Sequence, residues 1–269
     1  AVDMKGFLAI ALALAPVFKE AENELRLPLH YAFTFDEEVG MFGAAQMPAF
    51  LQKHQIKPAI AIIGEPTGMR PFVGHKGQLE LIAELHGTAG HASDPRGTVN
   101  SVYYAARLIS FIEEKARALA AQPNAQSPFD PPYSTLSVGQ IEGGEARNII
   151  PNSCRFLWEI RPLPDDDAHA ILAEIKHYVD KHLLPEMKAI HADARIELII
   201  ESWCPGMQAR PDSAAAALVA VASESVRNWL ARAPSSDEAF CNRSSTLATV
   251  CSKALAIPAM VCRDCSMPA

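Results

Sequence analysis

Thr34-Phe35-Asp36-Glu37-Glu38-Val39-Gly40 sets three carboxylates at the end of an apolar run. Residues 27–35, LPLHYAFTF, are rich in β-formers, and Gly40 and Gly43 follow closely, so the acids stand where a strand would leave a sheet. Open α/β sheets bind ligands at such strand ends. Adjacent carboxylates repel and raise one another's pKa unless a cation neutralises them, and a bound divalent metal is the usual remedy. A solvated acidic turn is the plainer reading of the tripeptide taken alone, and its surroundings have to decide.

Acids recur on both sides of this turn. Upstream, Ala1-Val2-Asp3-Met4-Lys5-Gly6 precedes a helix predicted over residues 7–24, which places Asp3 at a helix N-terminus. It is either a capping or first-turn acid favoured by the helix dipole, or a metal carboxylate. Downstream, residues 44–55 can form a second helix, and Pro58-Ala-Ile-Ala-Ile-Ile63 reads as a buried strand ending in Gly64-Glu65-Pro66-Thr67. Acidic exits at Asp3, Glu37/Glu38 and Glu65 make the arrangement that a two-metal hydrolase needs, because loops at one edge of a sheet converge.

A chain of 269 residues has room for two domains, and its 49% hydrophobic and 20% charged residues make a soluble globular composition. The formal charge of −7 argues against a nucleic-acid surface and for small-molecule chemistry. The longest apolar run, residues 7–17, is shorter than the roughly 20 residues of a membrane span, and Lys5 and Lys19 bracket it. No positively charged segment precedes that run and no cleavage site follows it, so it is a buried helix and not a signal peptide. The strand-exit-to-helix pattern is already under way at residue 1, as in a fragment lacking its N-terminal part. Six cysteines (Cys154, Cys204, Cys241, Cys251, Cys262 and Cys265) show no disulfide framework, which points to a reducing, cytoplasmic setting. Cys262-x-x-Cys265 lacks the second pair a zinc ribbon needs.

The pattern changes near Gly74. Residues 78–86 alternate as a strand, Gly90-His91-Ala92-Ser93 forms a turn, residues 98–121 are helical and 122–132 are a Pro-rich loop. Strands are predicted over 134–142 and 153–161, a helix over 165–183 with Asp165, Asp166 and Asp167 at its N-terminus, and a strand over 194–201. The order βαββαβ is that of a ferredoxin-like plait inserted as a unit. The chain then returns to helix over 212–230 and to a short buried strand over 257–262 that rejoins the first sheet. The expected fold is α/β: a sheet domain formed by residues 1–73 and 204–269, interrupted by the plait at 74–203.

AVDMKGF, TFDEEVG, IIGEPT, GHKGQ, GTAGHAS, GGEARNIIPN and EIRPLP, in this order and spacing, resemble the di-zinc amidohydrolases. That family includes acetylornithine deacetylase, succinyl-diaminopimelate desuccinylase and carboxypeptidase G2. The likeness spans about residues 1 to 230. Within it, His75-Lys76-Gly77 and Tyr133-Ser134-Thr135-Leu136 are most similar to the acetylornithine deacetylase branch. The resemblance implies a zinc-peptidase-like catalytic domain, a lid that also dimerises, two zinc ions per subunit with cobalt as a substitute, and hydrolysis of an N-acyl amino acid. It casts Asp3 as the carboxylate bridging the metals, Glu38 and Glu65 as one ligand to each, and Glu37 as the general base. His91 matches the lid histidine that reaches the partner subunit's site and stabilises the oxyanion, while Asn148 and Arg161 match lid residues holding the substrate carboxylate. Taken without the family, His91 and Asn148 are turn residues and Arg161 a surface ion-pair residue.

Two family features are missing. No HxD motif stands before AVDMKG, and no histidine follows His191, so one histidine ligand per metal is absent. Residues 237–252 also depart from the family where a Gly-Thr-Glu-like segment is expected. A non-catalytic relative whose plait only dimerises is the competing class. A nucleotide-binding protein is disfavoured, since neither G-x-G-x-x-G nor a P-loop follows any strand.

Overall fold

The computed structural model describes residues 3–67 and 70–231. The chain divides into two compact units, Ala1–Val73 with Arg210–Ala269, and Gly74–Ala209.

In the first unit, the Ala- and Leu-rich run forms helix α1 (Lys5–Glu20), which ends earlier than predicted. A single 3-10 turn, Glu22–Glu24, follows it, tied back by Lys19 Nζ donating to Glu22 Oε2 at 2.5 Å. Its N-cap is Met4 with no side-chain cap bond, so Asp3 does not cap the helix. Helix α2 spans Phe42–Lys53, close to expectation. The two strands expected at residues 27–35 and 58–63 are not strands: neither takes part in a ladder. A strand is stabilised by a neighbour that satisfies its backbone groups, and neither segment has a ladder partner among the described residues. Their apolar side chains are exposed in consequence, Phe35 at 59% and Ile63 at 79%. The strand expected at 257–262 and the Cys262/Cys265 pair lie outside the described residues.

The second unit is the plait. Its first strand, β1 (Gln78–His86), alternates in burial, with Leu79, Leu81, Ala83 and Leu85 inside. A two-residue strand β2 (Gly90–His91) follows, then helix α3 (Ser101–Ala120). Asn100 caps α3, its side-chain oxygen accepting from Val102 N at 3.0 Å and Tyr103 N at 3.2 Å. Strands β3 (Thr135–Gly143), β4 (Ile149–Ile150) and β5 (Ser153–Arg161) lead to helix α4 (Ala168–Tyr178). Of the three consecutive aspartates only Asp167 caps α4; Asp166 accepts from Ser134 and Asp165 from Gln208. A π turn at Val179–Leu183 leads into helix α5 (Leu184–Ile190), and strand β6 (Arg195–Cys204) closes the unit. Helix α6 (Ala214–Ala231) returns to the first unit.

The four long strands form one antiparallel sheet in the order β3-β5-β1-β6, the ferredoxin-like order. β2 and β4 pair separately. Because side chains alternate across a strand, one face of the sheet carries Leu79, Leu81, Leu85, Phe156, Trp158 and Ile160 into a core with Ala105, Leu108 and Ile112 of α3 and Ile175 of α4. Phe111 stacks on Tyr178 at 4.0 Å between ring centroids, joining α3 to α4. The other face mixes polar groups, among them Gln78, Glu80, Glu84, Arg155 and Glu159, with Ile82, Leu157 and Ile199. No helix among the described residues is long and apolar enough to cross a membrane.

With a core made wholly of its own residues, the segment 74–209 is expected to unfold in one cooperative transition when expressed alone. Phe156, 1% exposed at its centre, should cost about 3–5 kcal/mol on replacement by alanine. Urea unfolding followed by circular dichroism measures both.

Candidate functional site

The acidic turn is built by backbone geometry. Glu37–Val39 is one 3-10 turn, entered through Asp36 at φ 58° and left through Gly40 at φ 117°, both left-handed. Gly40 supplies that conformation without the strain a Cβ would bring. Met41 N–H donates to Asp36 O at 2.7 Å and Gly43 N–H to Phe35 O at 3.1 Å, folding the start of α2 back on the preceding segment. The approach is so close that a Cβ on Gly43 would lie 2.5 Å from Phe35 N. Glu37 and Glu38 are left exposed.

Glu65 is brought to the same place by a second close contact. Gly64 is buried, and a Cβ there would lie 2.1 Å from the Phe7 ring, so the Glu65 backbone lies near the first turn of α1, beside Asp3 in sequence. The electrostatics agree. The Glu65 carboxyl is pushed above its ordinary range, first by partial desolvation and then by the negative charges of Asp3, Glu37 and Glu38. Asp3, Glu37 and Glu38 therefore all act on Glu65, although the four acids come from three separate stretches of chain.

Four carboxylates with no cation between them have the donor chemistry of a hard divalent ion's site. The geometry stops short of one: among the described residues no three His, Cys, Asp or Glu side chains form a group able to hold a metal. Both facts hold together because charge repulsion acts over several ångströms while a metal bond spans about 2 Å. The described acids are thus gathered but do not by themselves close a metal site, and zinc calls for imidazole donors in addition.

In the second unit, His91 and Asn148 are held together by the β2–β4 pairing. His91 lies opposite Ile149, and Ala92 N–H donates to Asn148 O at 2.9 Å. His91 is exposed. Ser93 N–H donates to His91 Nδ1 at 3.2 Å, and Ser93 Oγ lies 2.7 Å from the same nitrogen. A backbone N–H can only donate, so Nδ1 is an acceptor and the neutral ring carries its proton on Nε2. That Nε2–H is the kind of donor an oxyanion requires.

Arg161 stands elsewhere. It ends β5, a nine-residue strand that starts near β4, so within one chain it lies roughly 25–30 Å from Asn148, at about 3.3 Å per residue. The expectation that Asn148 and Arg161 hold one carboxylate jointly is not met inside a single protomer, because an extended strand separates them. Arg161 Nε donates to Glu159 Oε2 at 2.8 Å and Nη1 to Gln78 Oε1 at 2.9 Å.

Sequence reading missed Ser93, Gln78, Glu80 and Lys76. The alternation of β1 does put Gln78 and Glu80 on its outer face, but only the register against β5 shows which arginine they meet. Lys76 Nζ donates to Tyr133 O at 2.7 Å, and desolvation lowers the ammonium pKa against the opposing pull of Asp130 and Asp166.

Comparison with known proteins adds the following. Residues 73–187 match the M20-type peptidase dimerisation domain. The chain is 33% identical to an acetylornithine deacetylase of Myxococcus xanthus over 196 residues, 73% of this chain and 49% of that protein. It is 39% identical to the acetylornithine deacetylase of Salmonella arizonae over 163 residues, 60% and 41% respectively. The chain thus spans about half the length, or less, of the curated relatives it matches. Among solved structures, a tripeptidase from Staphylococcus aureus superimposes with a TM-score of 0.54 at 23% identity, over 85% of this chain and 54% of that one.

If the neighbouring acids hold Glu65 protonated to higher pH, neutralising one of them should bring its titration midpoint down toward the ordinary 4.5 without reaching it, since desolvation is the larger cause. Carbon-detected NMR of the Glu38→Gln chain tests this; an unmoved midpoint would leave desolvation as the sole origin. The linkage has a definite sign. A carboxyl whose folded pKa is raised favours the folded state at low pH, and that contribution is lost as pH rises from 4.5 through the raised value.

Proposed function

From the match of residues 73–187 to the M20 peptidase dimerisation domain and the likeness to acetylornithine deacetylases, we propose that the full-length protein is a metal-dependent hydrolase of N-acyl amino acids. The substrate we assign is N-acetyl-L-ornithine, cleaved to L-ornithine and acetate as in arginine biosynthesis in the cytoplasm. Likeness to acetylornithine deacetylases at 33–39% identity supports the choice of substrate. The observation that carries the hydrolytic reading is the likeness of residues 73–187 to a peptidase dimerisation domain, and the placing of Glu65 within reach of the charges of Asp3, Glu37 and Glu38 agrees with it.

The roles follow from chemistry. Glu37 takes the proton from a water as its oxygen attacks the acyl carbonyl, then delivers it to the nitrogen as the C–N bond breaks, releasing amine and carboxylate. His91 donates Nε2–H to the oxygen on which negative charge builds. Arg161 of one subunit neutralises the substrate carboxylate, and Asn148 reaches it from the lid of the other subunit. Asp3, Glu38 and Glu65 would help to hold two zinc ions, or cobalt in their place, together with imidazoles from outside this set. Such ions, when bound, polarise the scissile carbonyl and make water acidic near neutral pH. His91 lies on an exposed edge of the plait, which supports a homodimer in which each lid serves the other subunit's site.

In the full-length protein, Glu37→Gln should lower kcat for N-acetyl-L-ornithine by roughly 100- to 10,000-fold, and His91→Ala by about 100-fold or more. Mixing the two inactive proteins under subunit exchange should restore part of the activity. Mixtures as inactive as either parent would refute the shared site. A panel of succinyl-diaminopimelate, N-acyl amino acids and dipeptides separates the deacetylase from a desuccinylase, aminoacylase or dipeptidase.

A further inference from the structure

The mixed face of the plait's sheet carries a hydrogen-bond chain that crosses three strands and ends on Arg161. Ser202 Oγ of β6 donates to Glu80 Oε2 at 2.5 Å, and Gln78 Nε2 donates to the other oxygen of Glu80. Gln78 Oε1 in turn accepts from Arg161 Nη1 at 2.9 Å. On the far side of the guanidinium, Nε and Nη2 both lie 2.8 Å from Glu159 Oε2. Every residue in the chain is partly buried.

Register explains why these groups meet. Leu79 pairs with Ile160 and Glu80 with Glu159, so Gln78 and Arg161 finish the same ladder on the same face. On the other side of β1, Glu80 pairs with Ser202, next to a register shift in which β6 holds one extra residue. Two carboxylates directly opposite each other, Glu80 and Glu159, cost a sheet stability. Here Arg161 answers one of them, while the other is met by two neutral donors. That second carboxylate has a geometric consequence. A glutamine amide can point either way, but with Nε2 committed to an acceptor-only Glu80, Oε1 must face Arg161.

We infer that Gln78, oriented by Glu80, is a positioning residue that presents Arg161 to the carboxylate of the substrate. The inference rests on the role proposed above for Arg161. The guanidinium has five N–H groups, and each terminal nitrogen carries two. Nη1 and Nη2 each keep an N–H beyond the contacts described, which leaves a donor on both for a carboxylate. Gripped from both sides, the arginine loses little side-chain freedom when the substrate binds, and a preorganised donor binds more tightly than one that must be ordered. Gln78 touches no reacting atom, so its effect belongs to binding.

The test uses the full-length enzyme, the apolar and nearly isosteric Gln78→Met variant, and two substrates, N-acetyl-L-ornithine and its carboxamide, which lacks the carboxylate. The unsubstituted enzyme should prefer the acid. The variant should raise KM for the acid about tenfold, the worth of a hydrogen bond to a charged group, with kcat nearly unchanged and the carboxamide hydrolysed as before. The Arg161 Nε–H signal in NMR should also exchange faster with water in the variant, while the thermal midpoint stays put. An acid preference that survives in the variant, or a loss equal for both substrates, overturns the positioning role and leaves Arg161 standing. No acid preference in the unsubstituted enzyme overturns the role of Arg161, and the positioning role with it.

Discussion

The burial of one face of β1 is the constraint on which the second unit depends. Leu79, Leu81, Ala83 and Leu85 alternate along it and are almost wholly removed from water. With β5 on one side and β6 on the other, a slip by one residue in either pairing would turn four apolar side chains outward and polar ones inward. The register is thereby fixed. Through it the other face is fixed as well, so that Gln78 and Glu80 come to Arg161 and Ser202 as a result of where the leucines lie.

The first unit has the opposite character. Its acids are positioned by tight contacts, Gly43 on Phe35 and Gly64 on the Phe7 ring. Around them Phe35, Ile62 and Ile63 are exposed. Partial desolvation, and after it the negative charges of Asp3, Glu37 and Glu38, raise the Glu65 carboxyl. A cation bound beside Glu65 would offset the repulsive part of that shift.

Much of this was legible in the sequence. Period-two alternation at 78–86 and 153–161 gave two strands to the residue, and the βαββαβ order gave the plait. The family motifs named the four acids before any geometry was known. The predictions that went wrong did so for identifiable reasons. Residues 27–35 and 58–63 have strand composition, yet composition cannot supply the neighbour that makes a strand. Asp165 and Asp166 looked like helix-terminal acids, but each found a side-chain donor nearer than the helix, leaving Asp167 as the cap. The β2–β4 pairing that joins His91 to Asn148 escaped notice because two residues carry no periodicity.

The sequence by itself determined which chemistry is present: its motifs supply carboxylates, a histidine and an arginine, and its hydrophobic periods specify an inserted plait. Side-chain identity and local spacing are properties of the chain, so these were readable from it. Only the tertiary structure decided which of those groups meet. It set the proton of His91 on Nε2 through Ser93, drew two other stretches of acid onto Glu65, and parted Arg161 from Asn148 by the length of a strand. Contacts between residues far apart in sequence are created by register and by close backbone approach, and neither is encoded in any short stretch that could be read alone.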